Sequence, residues 1–133
     1  MHAWVPPAAF DGYRLVRPLG AGAMGRVYLG HDLLLDRPVA IKFIAAQDPD
    51  ARRRERFLLE GRALAKLVHP NVVLTFRTGE TEGQPYLVSE LVTGRSLDQL
   101  ELPLPWRRAV EVGVGLARGL AAAHRAGRYR RTG

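Results

Sequence analysis

Three glycines lie within the six residues Gly20 to Gly25, in the order G-x-G-x-x-G. Glycines let the backbone turn sharply and bring its N–H groups close to phosphate oxygens, because no Cβ stands in the way. Arg26 to His31 then alternate polar and apolar side chains, which predicts a strand. A dinucleotide-binding fingerprint would open a helix here, and a Walker P-loop would continue with Gly-Lys-Ser/Thr. Both are disfavoured, which leaves a glycine hairpin that either binds phosphate or merely turns the chain.

A lysine follows the glycines at the end of a run rich in β-branched residues, Val39-Ala40-Ile41-Lys42. On a strand, Lys42 shares one face with the small Ala40, whereas Val39 and Ile41 point to the other face. The Lys42 face therefore has room for a flat apolar ring beside an ammonium group. The alternative is an ordinary lysine at the end of a strand.

A glutamate in a predicted helix offers the lysine a partner. Phe57, Glu60 and Leu64 fall at spacings of three and four, so they share one helical face. The two apolar residues mark that face as directed to the core, and a buried carboxylate is costly unless it is paired. We therefore expect Glu60 to pair with Lys42, unless Glu60 lies at the solvent margin of its face.

Short strands and two longer helices must position these residues. A Pro- and Ala-rich lead-in comes first, and three strands with short links then predict an antiparallel meander. A helix follows, then two more strands, a short helical turn and a second long helix. The predicted strands are 13–19, 26–31, 38–44, 72–77 and 86–91, and the predicted helical segments are about 48–68, 96–100 and 106–126.

Taken in order, these motifs resemble a bacterial serine/threonine protein kinase of the Hanks type. The glycine loop followed by Val27, the V-A-I-K motif whose Lys42 lies 17 residues after Gly25, and Glu60 match the pattern of that family. The resemblance implies an α+β fold, in which a five-stranded antiparallel sheet packs on the family's αC helix to form an N-lobe. An incomplete helical C-lobe follows, beginning with the family's αE helix. The implied parts are a flexible lead-in at 1–12, N-lobe and hinge at 13–92, and the start of the C-lobe at 93–133.

The same resemblance implies ATP and Mg²⁺ as cofactors and serine or threonine side chains of proteins as substrates. Lys42 would hold the α- and β-phosphates and Glu60 would orient it, so these two are the catalytic candidates. Ser89 would be the gatekeeper of the adenine pocket, and Val27 and Ala40 would cover the adenine ring. The residues implied to contact nucleotide are Leu19, Gly20, Ala21, Gly22, Ala23, Met24, Gly25, Val27, Ala40, Lys42, Glu90 and Val92.

The resemblance breaks after Gly127. The family continues with two apolar residues and H-R-D, whereas this chain reads Arg128-Tyr129-Arg130-Arg131-Thr132-Gly133, with Thr132 where the catalytic aspartate belongs. The sequence contains no D-F-G, so no metal ligand is predicted. We expect the chain alone to be inactive and to bind ATP weakly, as a gene fragment, a frameshift product or a pseudokinase that binds a partner.

The composition limits which classes of protein and of binding site remain possible. The 133 residues carry a net charge of +7 and no cysteine, which excludes disulfides and cysteine-ligated metals and fits the cytoplasm. A basic nucleic-acid-binding module is a weaker alternative, because no aromatic residues interleave with the arginines. No membrane segment or signal peptide is evident. The apolar face of the second long helix would lack a cover, so we expect self-association through it.

Overall fold

Six antiparallel strands in the described part of the chain form one sheet. The computed structural model describes residues 4–22, 25–44, 55–56, 59, 61–63 and 65–127. The order across the sheet is β1-β2-β3-β4-β6-β5. The strands are β1 (Ala9–Phe10), β2 (Tyr13–Gly22), β3 (Gly25–Asp32), β4 (Arg37–Ile44), β5 (Thr75–Thr81) and β6 (Gln84–Ser89).

The α+β class is confirmed, with one strand more than the sequence predicts. β1 lies in the segment predicted to be a loose lead-in, and Phe10 pairs with Tyr13 of β2. The Phe10 ring lies 5.0 Å from that of Tyr86, and the Trp4 ring lies 5.2 Å from that of Phe43. Two large aromatic side chains thus hold this segment against the sheet, a contribution that its Pro- and Ala-rich composition hides.

The strand β4 alternates between the two faces of the sheet. Val39 and Ile41 are fully buried and Phe43 nearly so, whereas Ala40 and Lys42 are half-buried on the other face. Fully burying one such apolar side chain contributes roughly 1.5–3 kcal/mol, and a slip of one residue would expose all three. The core therefore fixes the face that Lys42 occupies, and the predicted alternation is confirmed.

The strand β5 begins at Thr75, later than the predicted residue 72. The strand β6 begins at Gln84, earlier than the predicted residue 86. The amide of Val72 donates to the carbonyl of His69 at 3.1 Å, so the chain turns there before β5 can begin. At the other end of β5, Glu82 and Gly83 both have positive φ, which makes a two-residue hairpin loop. This loop is tighter than the predicted turn of residues 79–84.

Besides the strands, the described residues include three helical segments. Residues 55–56, 59, 61–63 and 65 are helical, in agreement with the predicted helix, whose expected start at 48–50 lies outside the described residues. A short 3-10 turn, Leu97–Gln99, stands where a helical turn is predicted. The long C-terminal helix, Trp106–Gly127, confirms the last predicted element. Within the described ranges, no helix is long and apolar enough to span a membrane.

The C-terminal helix approaches the turn before β5 through its small residues. The side-chain amide of Asn71 donates to the carbonyl of Gly115 at 3.1 Å. At Gly119, a Cβ would lie 2.7 Å from the carbonyl oxygen of Asn71. Ala122 is buried nearby on the same side of the helix. The opposite side is the exposed helix face, with Val110 56%, Val114 43%, Leu116 54% and Leu120 57% accessible.

Candidate functional site

The glycine segment forms the end of a hairpin, as predicted. β2 and β3 pair through Ala21 with Arg26 and Gly22 with Gly25, and Gly25 has a φ of 128° that favours glycine. A Cβ at Gly20 would meet nothing within 4 Å, so packing within the described chain does not require a glycine there. The space beside Gly20 is open to a ligand. Of the predicted nucleotide contacts, Ala23 and Met24 lie outside the described residues.

A bulge precedes the glycines, and the sequence does not predict it. The register of β2 against β3 shifts between Pro18 and Gly20, which leaves Leu19 without a direct partner. Leu19 is 42% exposed. A bulge bends its strand and re-aims the side chain at that point, so Leu19 lies at the entrance to the hairpin rather than within the ladder.

The side chains predicted to surround a nucleotide share one face of the sheet. Val27 pairs with Lys42 across β3 and β4, and Lys42 pairs with Leu87 across β4 and β6. Residues directly opposite on antiparallel strands have Cβ atoms roughly 4.5–5.5 Å apart on the same face. In the next row, Ala40 lies between Leu29 and Ser89. The result is an apolar floor with one ammonium group, next to the base of the glycine hairpin.

Lys42 is half-buried in this floor, and the helical residues pack close to the same rows. Gly61 is buried so near Thr78 of β5 that a Cβ would overlap the threonine methyl group. Thr78 pairs with Leu87, the neighbour of Lys42. The helix thus approaches the face that carries the lysine. The predicted pairing of Lys42 with Glu60 lies outside the described residues and stays a prediction.

The chain leaves β6 through residues predicted to meet an adenine edge. The amide of Glu90 donates to the carbonyl of Leu74 at 2.9 Å, and the Glu90 carboxylate accepts from the amide of Leu74 at 2.8 Å. The hydroxyl of Ser89 donates to the Glu90 carbonyl at 3.3 Å. A carbonyl oxygen can accept a second bond, so this one and the backbone of the exposed Val92 are the groups left for a ligand. The sequence does not predict this pair of hydrogen bonds between Glu90 and Leu74.

The polar groups of this site suit an anionic ligand more than a metal held by protein alone. Among the described residues, no group of three His, Cys, Asp or Glu side chains could hold a metal ion. The lysine ammonium and the backbone N–H groups of a glycine hairpin are donors that match phosphate oxygens. The apolar rows beside them match a flat ring.

Comparisons with known proteins agree with this geometry. Residues 13–130 match the protein kinase domain family. The chain is 43% identical over 115 residues to the serine/threonine-protein kinase pkn2 of Myxococcus xanthus, which covers 84% of this chain and 14% of that protein. It is 39% identical over 119 residues to the serine/threonine-protein kinase PknL of Mycobacterium bovis, with coverages of 86% and 30%.

A solved structure gives the same result for the fold. The PknI kinase domain of Mycobacterium tuberculosis superposes with a TM-score of 0.78 at 30% identity, over 95% of this chain and 54% of that one. The chain therefore spans about half of that kinase domain and 14% to 30% of the two curated relatives. The chain belongs to the protein kinase family, and within it to the bacterial serine/threonine kinases of the Hanks type, which it matches over the region of the N-lobe.

Proposed function

We propose that this chain supplies the ATP-binding side of a serine/threonine protein kinase. The observation that carries the proposal is the order of groups on one sheet face. An apolar floor formed by Val27 and Ala40 is followed by the Lys42 ammonium, and the glycine hairpin adjoins both. This order matches the order of base and phosphates in a nucleotide.

The chemistry of these residues supports ATP as the ligand. The side chains of Val27 and Ala40 would cover the adenine ring, and the backbone groups of Glu90 and Val92 would meet its edge. Lys42 would bind phosphate oxygens through a charge-assisted hydrogen bond, oriented by Glu60. When bound, ATP supplies the phosphoryl group for transfer. Mg²⁺ would accompany the phosphates, although no metal cluster occurs among the described residues.

The family reaction moves that phosphoryl group to a serine or threonine of a protein, and we propose that these 133 residues do not perform it alone. They contain no H-R-D and no D-F-G, and Thr132 stands where a base is needed. A mixture of the purified chain, ATP, Mg²⁺ and a generic protein substrate should show no transfer above background. Because ATP is the expected cofactor, we place the protein in the cytoplasm.

Binding of ATP can be tested with a matched pair of variants, because the chain has two lysines, Lys42 and Lys66. Lys66 is exposed at the end of the helical segment. Titration calorimetry should show that Lys42→Met weakens ATP binding roughly tenfold, as expected for the loss of a charged hydrogen-bond donor. Lys66→Met should bind like the parent. Equal affinities of Lys42→Met and the parent would place the nucleotide elsewhere.

A second function is favoured by the exposed helix face. Val110 and Val114 form one pair at i,i+4 spacing and Leu116 and Leu120 form a second, and together they give a broad apolar face on the side away from Asn71. Contiguous apolar surface of this kind marks association sites in soluble proteins. We propose that a second copy of the chain covers it, and that the alternative occupant is a partner kinase.

A further inference from the structure

Residues 4–10, here called the N-terminal strap, lie against the sheet on the face opposite Lys42. At one end, Phe10 pairs with Tyr13, and the carbonyl of Ala8 accepts a hydrogen bond from the amide of Leu15 at 2.9 Å. At the other end, the partly buried ring of Trp4 packs edge-on against Phe43, with a centroid distance of 5.2 Å. The strap therefore reaches from the edge strand β1 to the middle of the sheet.

Two hydrogen bonds fix Trp4 in addition to its ring contact. Its indole N–H donates to the carboxylate of Glu82, in the loop between β5 and β6, at 3.0 Å. Its carbonyl accepts from the guanidinium of Arg26 at 2.8 Å, in a partly buried position. Bonds to charged groups are stronger than neutral ones. Trp4 thus ties β3 and β4 to the loop at the far edge of the sheet.

Arg26 stands directly after Gly25, the last glycine of the hairpin. Its backbone pairs with Ala21 on one side and with Phe43 on the other. Because Val27 lies on the Lys42 face, the Arg26 side chain lies on the opposite face, where it meets the strap. Glycine residues have no side chains with which to fix their own conformation. The position of the hairpin therefore depends on contacts made at its base.

We propose that the N-terminal strap holds the glycine hairpin in place through Arg26, and that Arg26 is a positioning residue for the nucleotide phosphates. The phosphate part of this inference rests on the proposed ATP-binding function, whereas the effect on the hairpin does not. The strap acts from the face of the sheet opposite Lys42. It contacts the residue after Gly25 and also Phe43, the residue after Lys42, so it supports both elements that would face the phosphates.

Hydrogen exchange in the nucleotide-free chain tests the mechanical part. Arg26→Met removes the bond to Trp4, and Arg17→Met, at an exposed arginine on the same hairpin, is the matched control. Amides of residues 20–22 and 25–27 should exchange roughly tenfold faster in Arg26→Met, as expected when a local opening becomes easier. Amides of β6 should keep the rates of the parent. Arg26→Lys, which retains a charged donor, should restore much of the protection.

Two results would overturn the strap proposal. One is hairpin exchange in Arg26→Met at the rates of Arg17→Met. The other is equal acceleration in the hairpin and in β6, which would mean that Arg26 only stabilises the whole fold. If Arg26→Met does not fold, Arg26→Gln removes the guanidinium while keeping a polar side chain, and the same comparison applies to it.

Ligand affinities test the phosphate part. Arg26→Met should weaken binding of ATP roughly three- to tenfold, because part of the binding free energy must then order the hairpin. Adenosine, which has no phosphates, should bind as it does to the parent, and an equal loss for both ligands would contradict a role toward phosphate. A parent that binds no ATP would refute the proposed function, and the exchange comparison alone would then decide the role of the strap.

Discussion

Tyr86 is the most enclosed aromatic residue of the core, fully buried between the rings of Phe10, Tyr13 and Phe43. Its hydroxyl donates to the carboxylate of Asp11 at 2.5 Å. Burial raises the pKa of Tyr86 above its usual value of 10, and the bond to Asp11 raises it further. The positive charge of Arg77 opposes these effects without cancelling them. The folded protein therefore holds this proton more tightly than the unfolded chain does.

The raised pKa of Tyr86 predicts that the folded protein loses stability at alkaline pH. Because the folded-state pKa is the higher one, the contribution of Tyr86 is complete below about pH 10 and declines as pH rises beyond it. Tyr86→Phe should be less stable at neutral pH by about 1 kcal/mol, for the lost hydrogen bond. Above pH 10 its free energy of unfolding should fall less steeply than that of the parent. Urea titrations across this range measure both slopes, and parallel curves would refute the account.

At the scale of elements, two glycines of the C-terminal helix should respond to alanine with opposite signs. A Cβ at Gly113 would meet nothing within 4 Å, whereas one at Gly119 would lie 2.7 Å from the backbone oxygen of Asn71. Gly113→Ala should stabilise the helix by about 0.5–1 kcal/mol, because alanine restricts the unfolded chain. Gly119→Ala should destabilise its contact with the turn by roughly 1–3 kcal/mol.

Thermal unfolding followed by far-ultraviolet circular dichroism compares these two variants with the parent. The expected order of melting temperatures is Gly113→Ala, parent, Gly119→Ala. If both variants shift in the same direction, the C-terminal helix does not rest on Asn71 in solution.

The elements that the sequence predicts well are those with a strict period. Alternation in β3 and β4 predicts the faces of Val27, Ala40 and Lys42, because a slip would exchange core and solvent. The boundaries of β5 are less predictable, since they depend on the turn at His69. β1 has no periodic signal of its own. Its place is fixed by pairing with β2, which only the folded chain reveals.

At the scale of the whole molecule, part of the candidate site can be predicted from the sequence. The glycine hairpin and the lysine follow from local motifs, and the structure brings them to one face. The supporting contacts do not follow from local motifs. Trp4 and Glu82 are 78 residues apart in the chain, and Glu90, just after β6, binds Leu74, just before β5 and 16 residues earlier. Such long-range pairs leave no spacing pattern that a single sequence displays.

The exposed helix face predicts how the isolated chain behaves in solution. Each of its four Val and Leu residues would contribute roughly 1.5–3 kcal/mol on full burial, so we expect the proposed self-association to be favourable. The sedimentation coefficient of the parent should rise with concentration. The double variant Leu116→Ser, Leu120→Ser should remain monomeric, whereas Leu34→Ser, at another exposed leucine, should behave like the parent. A parent that stays monomeric at high concentration would show that no second copy of the chain buries this face.

Covalent labelling can show whether the sheet face that carries Lys42 binds ATP. An acyl-phosphate derivative of ATP transfers its acyl group to a nearby lysine amine and releases the nucleotide. Mass spectrometry then identifies which of the two lysines carries the new amide. We expect acylation of Lys42 that excess ATP suppresses, with little modification of Lys66. Equal labelling of both lysines, or labelling of Lys42 that ATP does not reduce, would contradict it.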